Sequence, residues 1–245
     1  LFRSEFLFMD AAELPSEEEQ FQAYRKVASA LKGAPVIIRT LDVGGDKEIP
    51  YLHMEKEENP FMGFRAVRYC LENADQYKVQ LRALLRAGAF GDVKIMIPLV
   101  TCVEEVRAVK ALVEECKAEL EAEGLKYDEN IEVGVMMETP AASLIADKLA
   151  EEADFFSIGT NDLIGYTMCA DRGNDHISNL YQVYYPAVLR SIKNIIESGV
   201  KAGIMVGMCG EAAADPLLEP LLISFGLEEF SMSAPSILRA RKTIS

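Results

Sequence analysis

The amino-acid sequence predicts an α/β protein of the (β/α)8 TIM-barrel class, and three observations support this. Short apolar segments alternate with amphipathic segments along the 245 residues, an order typical of parallel sheets covered by helices. Seven apolar segments can be distinguished, one fewer than a complete barrel contains. Polar groups follow several of these segments directly, where barrels carry their functional residues. We therefore expect one barrel domain over residues 1–245 that lacks its first strand and helix and is also shortened at its C-terminus.

The first half of the chain is expected to hold three strands and four helices. The segment Ser4–Met9 should lead into a loop. Ser16 and Glu19 form a capping-box pattern, which begins a helix that ends near Leu31. The connection after Leu41 is long and charged, and such connections inside a compact domain are usually functional. The other expected elements are the strands Leu1–Arg3, Pro35–Leu41 and Val93–Val100 and the helices Phe64–Asn73, Ala74–Ala87 and Glu104–Glu123.

The second half continues the alternation of strands and helices. One amphipathic helix should connect its first two strands, and a helical segment that contains a glycine follows Asp162. A doubly wound sheet is the alternative fold, but it would collect ligands at one switch point rather than at many strand ends. The expected strands are Ile131–Met137, Phe155–Ile158, Gly203–Met208 and Glu228–Ser231, and the later helices cover about Pro186–Lys201, Pro216–Phe225 and Ser236–Lys242.

Composition excludes several classes of partner. The net charge is −14, with 39 acidic against 25 basic residues, which disfavours nucleic acids and anionic membrane surfaces. No apolar run approaches the roughly 18 to 20 residues of a membrane span. The five cysteines are scattered without metal-binding spacing, a pattern that indicates a reducing, cytoplasmic environment. In so acidic a chain, a local group of arginines would indicate a site for an anion.

Carboxylates follow two of the strands. Glu138 comes directly after one strand, and Asn161 and Asp162 come soon after the next. Mg²⁺ prefers carboxylate oxygens, and the absence of a neighbouring histidine or cysteine fits Mg²⁺ better than zinc. Both positions are also typical of helix caps. The pattern alone leaves the metal site and the helix caps as alternatives.

Arginines and one cysteine complete the set of candidate functional residues. Arg3, Arg39, Arg65 and Arg172 lie at strand ends or in the following loops, where guanidinium groups can bind phosphate or carboxylate. Ordinary surface ion pairs are the alternative. Cys209, in the sequence GMCGE, could transfer a proton or act as a nucleophile. A small core residue is the alternative there, and it is what we expect for the other four cysteines.

Taken together, these segments resemble enzymes that use phosphoenolpyruvate (PEP). The nearest resemblance is to the C-terminal, PEP-binding domain of the Enzyme I family of the bacterial PEP:sugar phosphotransferase system. It covers almost the whole chain, and the pair DVGGDK and DRGND is typical of that family. The segments that carry it are LFRSEFLFM (1–9), RTLDVGGDK (39–47), EENPFMGFRAVR (57–68), GVMMETPAA (134–142), DFFSIGTNDL (154–163), DRGND (171–175) and GMCGE (207–211).

The resemblance implies a role for each candidate residue. Glu138 and Asp162 would bind Mg²⁺, and Cys209 would protonate C3 of the enolpyruvate that remains after the phosphoryl group leaves. The full-length enzyme would transfer that group to a histidine, then to a histidine-containing phosphocarrier protein, and would form a homodimer. The residues implied to bind PEP are Arg3, Arg39, Arg172, Asn161 and Asp162, with Arg65 and Lys47 nearby.

Some features depart from the family pattern. Gly165 stands where an amide or hydroxyl side chain is common. Neither His53 nor His176 lies in the context of the acceptor histidine, which the family carries on a separate N-terminal swivelling domain. The alternatives are a pyruvate phosphate dikinase or PEP synthase, which would carry a nucleotide-binding domain, and a PEP-sensing module without turnover.

Overall fold

A computed structural model of the chain describes residues 1–45 and 49–244. These residues divide into two compact units. The first comprises residues 1–99 and 104–133, and the second comprises residues 100–103 and 134–245. Among the described residues, no helix is both long and apolar enough to cross a membrane.

The first unit contains three parallel strands with helices between them. Strand β1 pairs with β2, and β2 pairs with β3, so their order follows the chain. The strands are β1 (Phe2–Arg3), β2 (Val36–Arg39) and β3 (Val93–Ile97). The helices are α1 (Glu5–Met9), α2 (Glu17–Ala30), α3 (Val67–Glu72), α4 (Ala74–Gly88) and α5 (Val103–Ala122), and two short 3₁₀ turns lie at Pro50–Leu52 and Pro60–Met62.

The second unit repeats this pattern with four strands. Strands β4, β5, β6 and β7 pair in parallel in chain order, and β4 and β5 are buried along their whole length. The strands are β4 (Val133–Met137), β5 (Phe155–Gly159), β6 (Met205–Cys209) and β7 (Glu229–Phe230). The helices are α6 (Pro140–Leu144), α7 (Ala146–Leu149), α8 (Thr160–Met168), α9 (Pro186–Ala202), α10 (Glu219–Phe225) and α11 (Ala234–Ile244), with 3₁₀ turns at Asp175–Ile177 and Glu211–Ala214.

The expected α/β class and all seven expected strands are confirmed. The capping box is also confirmed, because Ser16 accepts from the backbone N–H of Glu19 while the Glu19 carboxylate accepts from that of Ser16. The described residues contain seven strands, so the complete eight-stranded barrel stays a prediction.

The structure differs from the sequence-based expectations in two helical regions. The sequence predicts no helix in Ser4–Met9, which is expected to lead into a loop, but Glu5–Met9 forms helix α1, in which Phe8 and Glu5 are buried. Tertiary contacts stabilise such a short helix, which has no periodic pattern of its own. The single helix between β4 and β5 is instead two short helices. At Ile145 the backbone leaves the helical region (φ −110°, ψ 24°), and this residue ends α6 and precedes α7.

Candidate functional site

Two arginines lie side by side at the ends of β1 and β2. Arg3 and Arg39 are register partners in these parallel strands, so their Cα atoms are neighbours at the carboxyl end of both strands. The Arg39 side chain is buried at 6% exposure and forms ion pairs with Glu5 and with Asp42, the latter at 3.2 Å. A buried charge requires such partners. Arg3 is exposed, and it forms no ion pair with any residue of the described ranges.

Arg65 joins this group through the same aspartate. Its Nε and Nη2 atoms donate to the two carboxylate oxygens of Asp42 at 3.2 and 3.4 Å, a bidentate arrangement that fixes the guanidinium plane. The Phe61 ring lies 5.3 Å from its Cζ. Gly44 has a φ of 97°, and a Cβ on it would lie 3.0 Å from Cβ of Arg65. Glycine therefore allows the loop after β2 to fold over Arg65.

The first unit thus presents a small cationic cluster in an acidic chain. Three guanidinium groups (Arg3, Arg39 and Arg65) stand against two carboxylates (Glu5 and Asp42). Within the described ranges, Arg3 is the exposed member of this cluster. Lys47, the other predicted cation, lies outside the described residues.

In the second unit, the carboxyl ends of the neighbouring strands β4, β5 and β6 place candidate residues side by side. Met137 pairs with Ile158, so Glu138 follows beside Gly159, and Gly159 pairs with Cys209. Glu138 is almost completely buried at 1% exposure. A Cβ on Gly159 would lie 2.6 Å from Oε2 of Glu138. Only glycine at this position leaves room for the carboxylate over the end of β5.

The helix-cap alternative fails at Glu138. The N-cap of α6 is Thr139, whose hydroxyl oxygen accepts from the backbone N–H of Ala142 at 3.0 Å and donates to the carbonyl of Val100 at 2.7 Å. Asn161 and Asp162 lie inside the first turn of α8, whose N-cap is Gly159. The sequence suggested capping by these polar residues, but none of them is the cap residue.

The first turn of α8 is joined to the end of β6. Thr160 donates its hydroxyl hydrogen to the carbonyl oxygen of Cys209 at 3.0 Å. Gly210 has a φ of 95°, and a Cβ there would lie 2.3 Å from Oγ1 of Thr160 and 3.2 Å from Oδ1 of Asn161. The glycine after Cys209 therefore lets the Asn161 side chain approach the strand end that carries the thiol.

Tyr181 is a neighbour of this turn that the sequence did not reveal. Its hydroxyl donates to the backbone carbonyl of Asn161 at 2.8 Å. Burial raises the pKa of Tyr181 to about 12, and the charges of Arg172, Asp162 and Glu211 also act on that pKa. Arg172 itself is exposed. Nothing in the local pattern around Tyr181 indicates a partner twenty residues earlier in the chain.

The cysteines divide differently from expectation. Cys209 carries a thiol at 8% exposure, which fits both a proton donor and a small core residue. Cys70 and Cys116 are buried as expected, whereas Cys169 is exposed and Cys102 is half-buried, so the core assignment is wrong for Cys169.

No group of three or more His, Cys, Asp or Glu side chains suited to a metal occurs within the described ranges. The predicted magnesium site uses only two.

Comparison with known proteins assigns the family. The family model described as PEP-utilising enzyme, PEP-binding domain, matches residues 1–245. The chain belongs to this family. The match covers the whole sequence and confirms the resemblance that the sequence segments indicate.

Relatives within the family carry one name. The phosphoenolpyruvate-protein phosphotransferase of Priestia megaterium is 55% identical over 244 residues, which are 100% of this chain and 43% of that protein. The proteins of the same name from Bacillus subtilis and Staphylococcus carnosus are 54% and 53% identical, again over 100% of this chain and 43% of theirs. The chain therefore spans less than half the length of these relatives.

Solved structures share the fold at low sequence identity. A citrate lyase from Burkholderia xenovorans matches with a TM-score of 0.58 and 16% identity, covering 95% of this chain and 75% of that one. RipC from Yersinia pestis matches with a TM-score of 0.50 and 11% identity, covering 95% and 86%. These likenesses concern the fold alone.

Proposed function

We propose that the chain is the PEP-binding part of a phosphoenolpyruvate-protein phosphotransferase. In the full-length enzyme, the phosphoryl group of PEP passes to a histidine of a separate N-terminal domain, then to a histidine-containing phosphocarrier protein, and pyruvate is released. The observation that carries this proposal is 55% identity, over the whole chain, to a protein of that name. The name of the relatives also favours this enzyme over a pyruvate phosphate dikinase or a PEP synthase.

The arginines are proposed to bind the phosphate of PEP. Arg3, Arg39 and Arg65 would neutralise its equatorial oxygens, since phosphoryl transfer requires positioning and charge stabilisation more than covalent help from the protein. The geometry supports this role, because the shared Asp42 orients Arg39 and Arg65 while Arg3 stays exposed to a ligand. Arg172, Asn161 and Asp162 would contribute further contacts, as would Lys47.

Glu138 and Asp162 are proposed to hold Mg²⁺. The donor set fits, because both groups offer carboxylate oxygens. Glu138 is buried and lies in a space that only a glycine at position 159 leaves open. A bound cation would add to the compensation that a buried carboxylate requires. When bound, Mg²⁺ would reduce the negative charge on the phosphate and carboxylate of PEP.

Cys209 is proposed to supply the proton that completes pyruvate. When the phosphoryl group leaves, the electron pair of the P–O bond remains on the enolpyruvate oxygen. The thiol of Cys209 then gives its proton to C3, which yields the ketone and a thiolate that solvent reprotonates. Its place at the end of β6, one strand from Gly159, supports this role.

The setting of this activity belongs to the same proposal. The fold would be a (β/α)8 barrel in which one further strand joins the seven described. The enzyme would act in the cytoplasm as a homodimer. A PEP-sensing module without turnover is the alternative from another functional class, and the absence of phosphoryl transfer in the full-length protein would favour it.

Replacing the predicted magnesium ligand tests the proposal. We expect Asp162→Ala to weaken magnesium-dependent PEP binding by roughly 100-fold or more. Loss of a residue that only supports a metal ligand already costs about 10- to 100-fold in metal affinity, and loss of the ligand itself should cost more. Titration calorimetry with and without Mg²⁺ measures this. Asp147→Ala is the matched control, since Asp147 is an exposed aspartate of the same unit that pairs with Lys148 at 3.9 Å. Unchanged PEP affinity in Asp162→Ala would refute the metal assignment.

A further inference from the structure

The segment from 171 to 185 connects α8 to α9 and carries Arg172. Its regular structure is one 3₁₀ turn at Asp175–Ile177, and most of its side chains are exposed. Short turns within it are closed by local contacts, such as the backbone N–H of His176 donating to Oδ1 of Asn174. Such contacts shape the segment but do not attach it to α8.

Tyr181 attaches this segment to the helix before it. Its hydroxyl donates to the carbonyl of Asn161 at 2.8 Å, and its ring lies beside Gly165, where a Cβ would be 3.8 Å from Cε2. One side chain therefore contacts both the first and the second turn of α8. Burial is the main cause of the raised pKa of this hydroxyl group, and the charges of Arg172 and Asp162 also act on it.

We propose that Tyr181 is a positioning residue that holds the Arg172 segment against the first turn of α8. The proposal rests on the proposed function, in which Arg172, Asn161 and Asp162 bind PEP. Loss of the hydroxyl group would remove one of the contacts that hold the segment carrying Arg172 against the turn that carries Asn161. We expect the contacts of Arg172 and Asn161 to act equally on bound substrate and transition state, so the loss would raise KM and leave kcat largely unchanged.

The chain offers a closely matched control in the same segment. Tyr185 also donates its hydroxyl hydrogen to a backbone carbonyl, that of Asn179 at 3.2 Å. Both partners of that bond lie inside the segment, so it makes no link to α8. Tyr181→Phe and Tyr185→Phe therefore remove the same group from the same type of bond. The difference that the comparison uses is what each bond connects.

The experiment compares the two variants in the full-length protein. For Tyr181→Phe we expect amide hydrogen exchange over residues 171–180 to be roughly three- to ten-fold faster without any ligand, because one hydrogen bond is lost. We expect KM for PEP to rise by a similar factor, with kcat within two-fold. Tyr185→Phe should leave the KM for PEP at the wild-type value.

The two measurements separate the possible failures. Unchanged exchange in Tyr181→Phe, or an equal rise of KM in both variants, would overturn the positioning role. A fall in kcat at constant KM would also overturn it. If the wild-type protein does not use PEP, the proposed function fails, while the exchange measurement still decides whether Tyr181 holds the segment.

Discussion

At the residue scale, charges that follow apolar strands are the part of the site that the sequence reveals. Arg39 and Glu138 end or follow buried strands and are themselves buried, and a charge is costly there unless it is paired. Their partners are less visible. Glu5 lies 34 residues before Arg39, and Tyr181 binds a backbone carbonyl twenty residues earlier. No local pattern encodes such pairings.

The position of Cys209 fits two roles, a proton donor and a small core residue, and substitution distinguishes between them. We expect Cys209→Ser in the full-length protein to bind PEP normally but to release pyruvate roughly 100- to 10,000-fold more slowly, because a hydroxyl group is a much weaker acid than a thiol. Calorimetry measures binding, and a coupled assay measures pyruvate. Cys169→Ser is the control, since that thiol is exposed. Normal pyruvate release in Cys209→Ser would return Cys209 to the role of a core residue.

At the element scale, strands were predictable and short helices were not. Strands β2 to β6 are compact, mostly apolar runs, and burial against helices on an α/β sheet requires that pattern. The five residues of α1 are too few to show helical periodicity, and the ion pair of Glu5 with Arg39 joins this helix to a residue far along the chain. The break at Ile145 gives no sequence signal either, because leucine and alanine continue on both sides of it. Helix α2 was predictable since its start is encoded locally, by Ser16 and Glu19.

That capping box provides a prediction with a pH dependence. Hydrogen bonds from the Ser16 side chain and backbone lower the pKa of Glu19. A carboxyl group whose pKa is lower in the folded state stabilises that state above its unfolded pKa, and the contribution is lost as the pH falls through the folded pKa. We expect Ser16→Ala to lower stability by about 1 kcal/mol near neutral pH. Urea unfolding at several pH values should show this difference shrinking below about pH 4.

The control for this prediction removes a hydroxyl group elsewhere. Ser224→Ala changes a serine inside α10 whose hydroxyl donates to the carbonyl of Leu221 at 2.7 Å. Among the residues that the structure describes, it caps no helix and bonds to no carboxylate, so its effect should not vary with pH over the same range. A constant difference between wild type and Ser16→Ala from pH 7 to pH 3 would contradict the linkage to Glu19.

At the scale of the whole molecule, two electrostatic effects oppose each other. The net charge of −14 produces self-repulsion that acts over the entire chain. Against it stands an ion-pair network on the first unit, in which Arg82 alone contacts Glu17, Glu119 and Glu123 at 2.6, 3.3 and 2.6 Å. Exposed pairs contribute at most about 1 kcal/mol each. We therefore expect the repulsion to have the larger response to salt.

This balance predicts the sign of the salt effect on stability. Raising NaCl from roughly 0.02 M to roughly 0.3 M shortens the screening length from about 20 Å to about 5 Å, so the Tm of the chain should rise. Arg82→Gln should show a steeper rise, because it has lost attractions that salt weakens. Arg239→Gln makes the same charge change at an exposed arginine that has no ion pair with the described residues, and it should lie between the two. A Tm that falls with salt in the wild-type chain would mean that the ion pairs, and not the net charge, dominate its electrostatics.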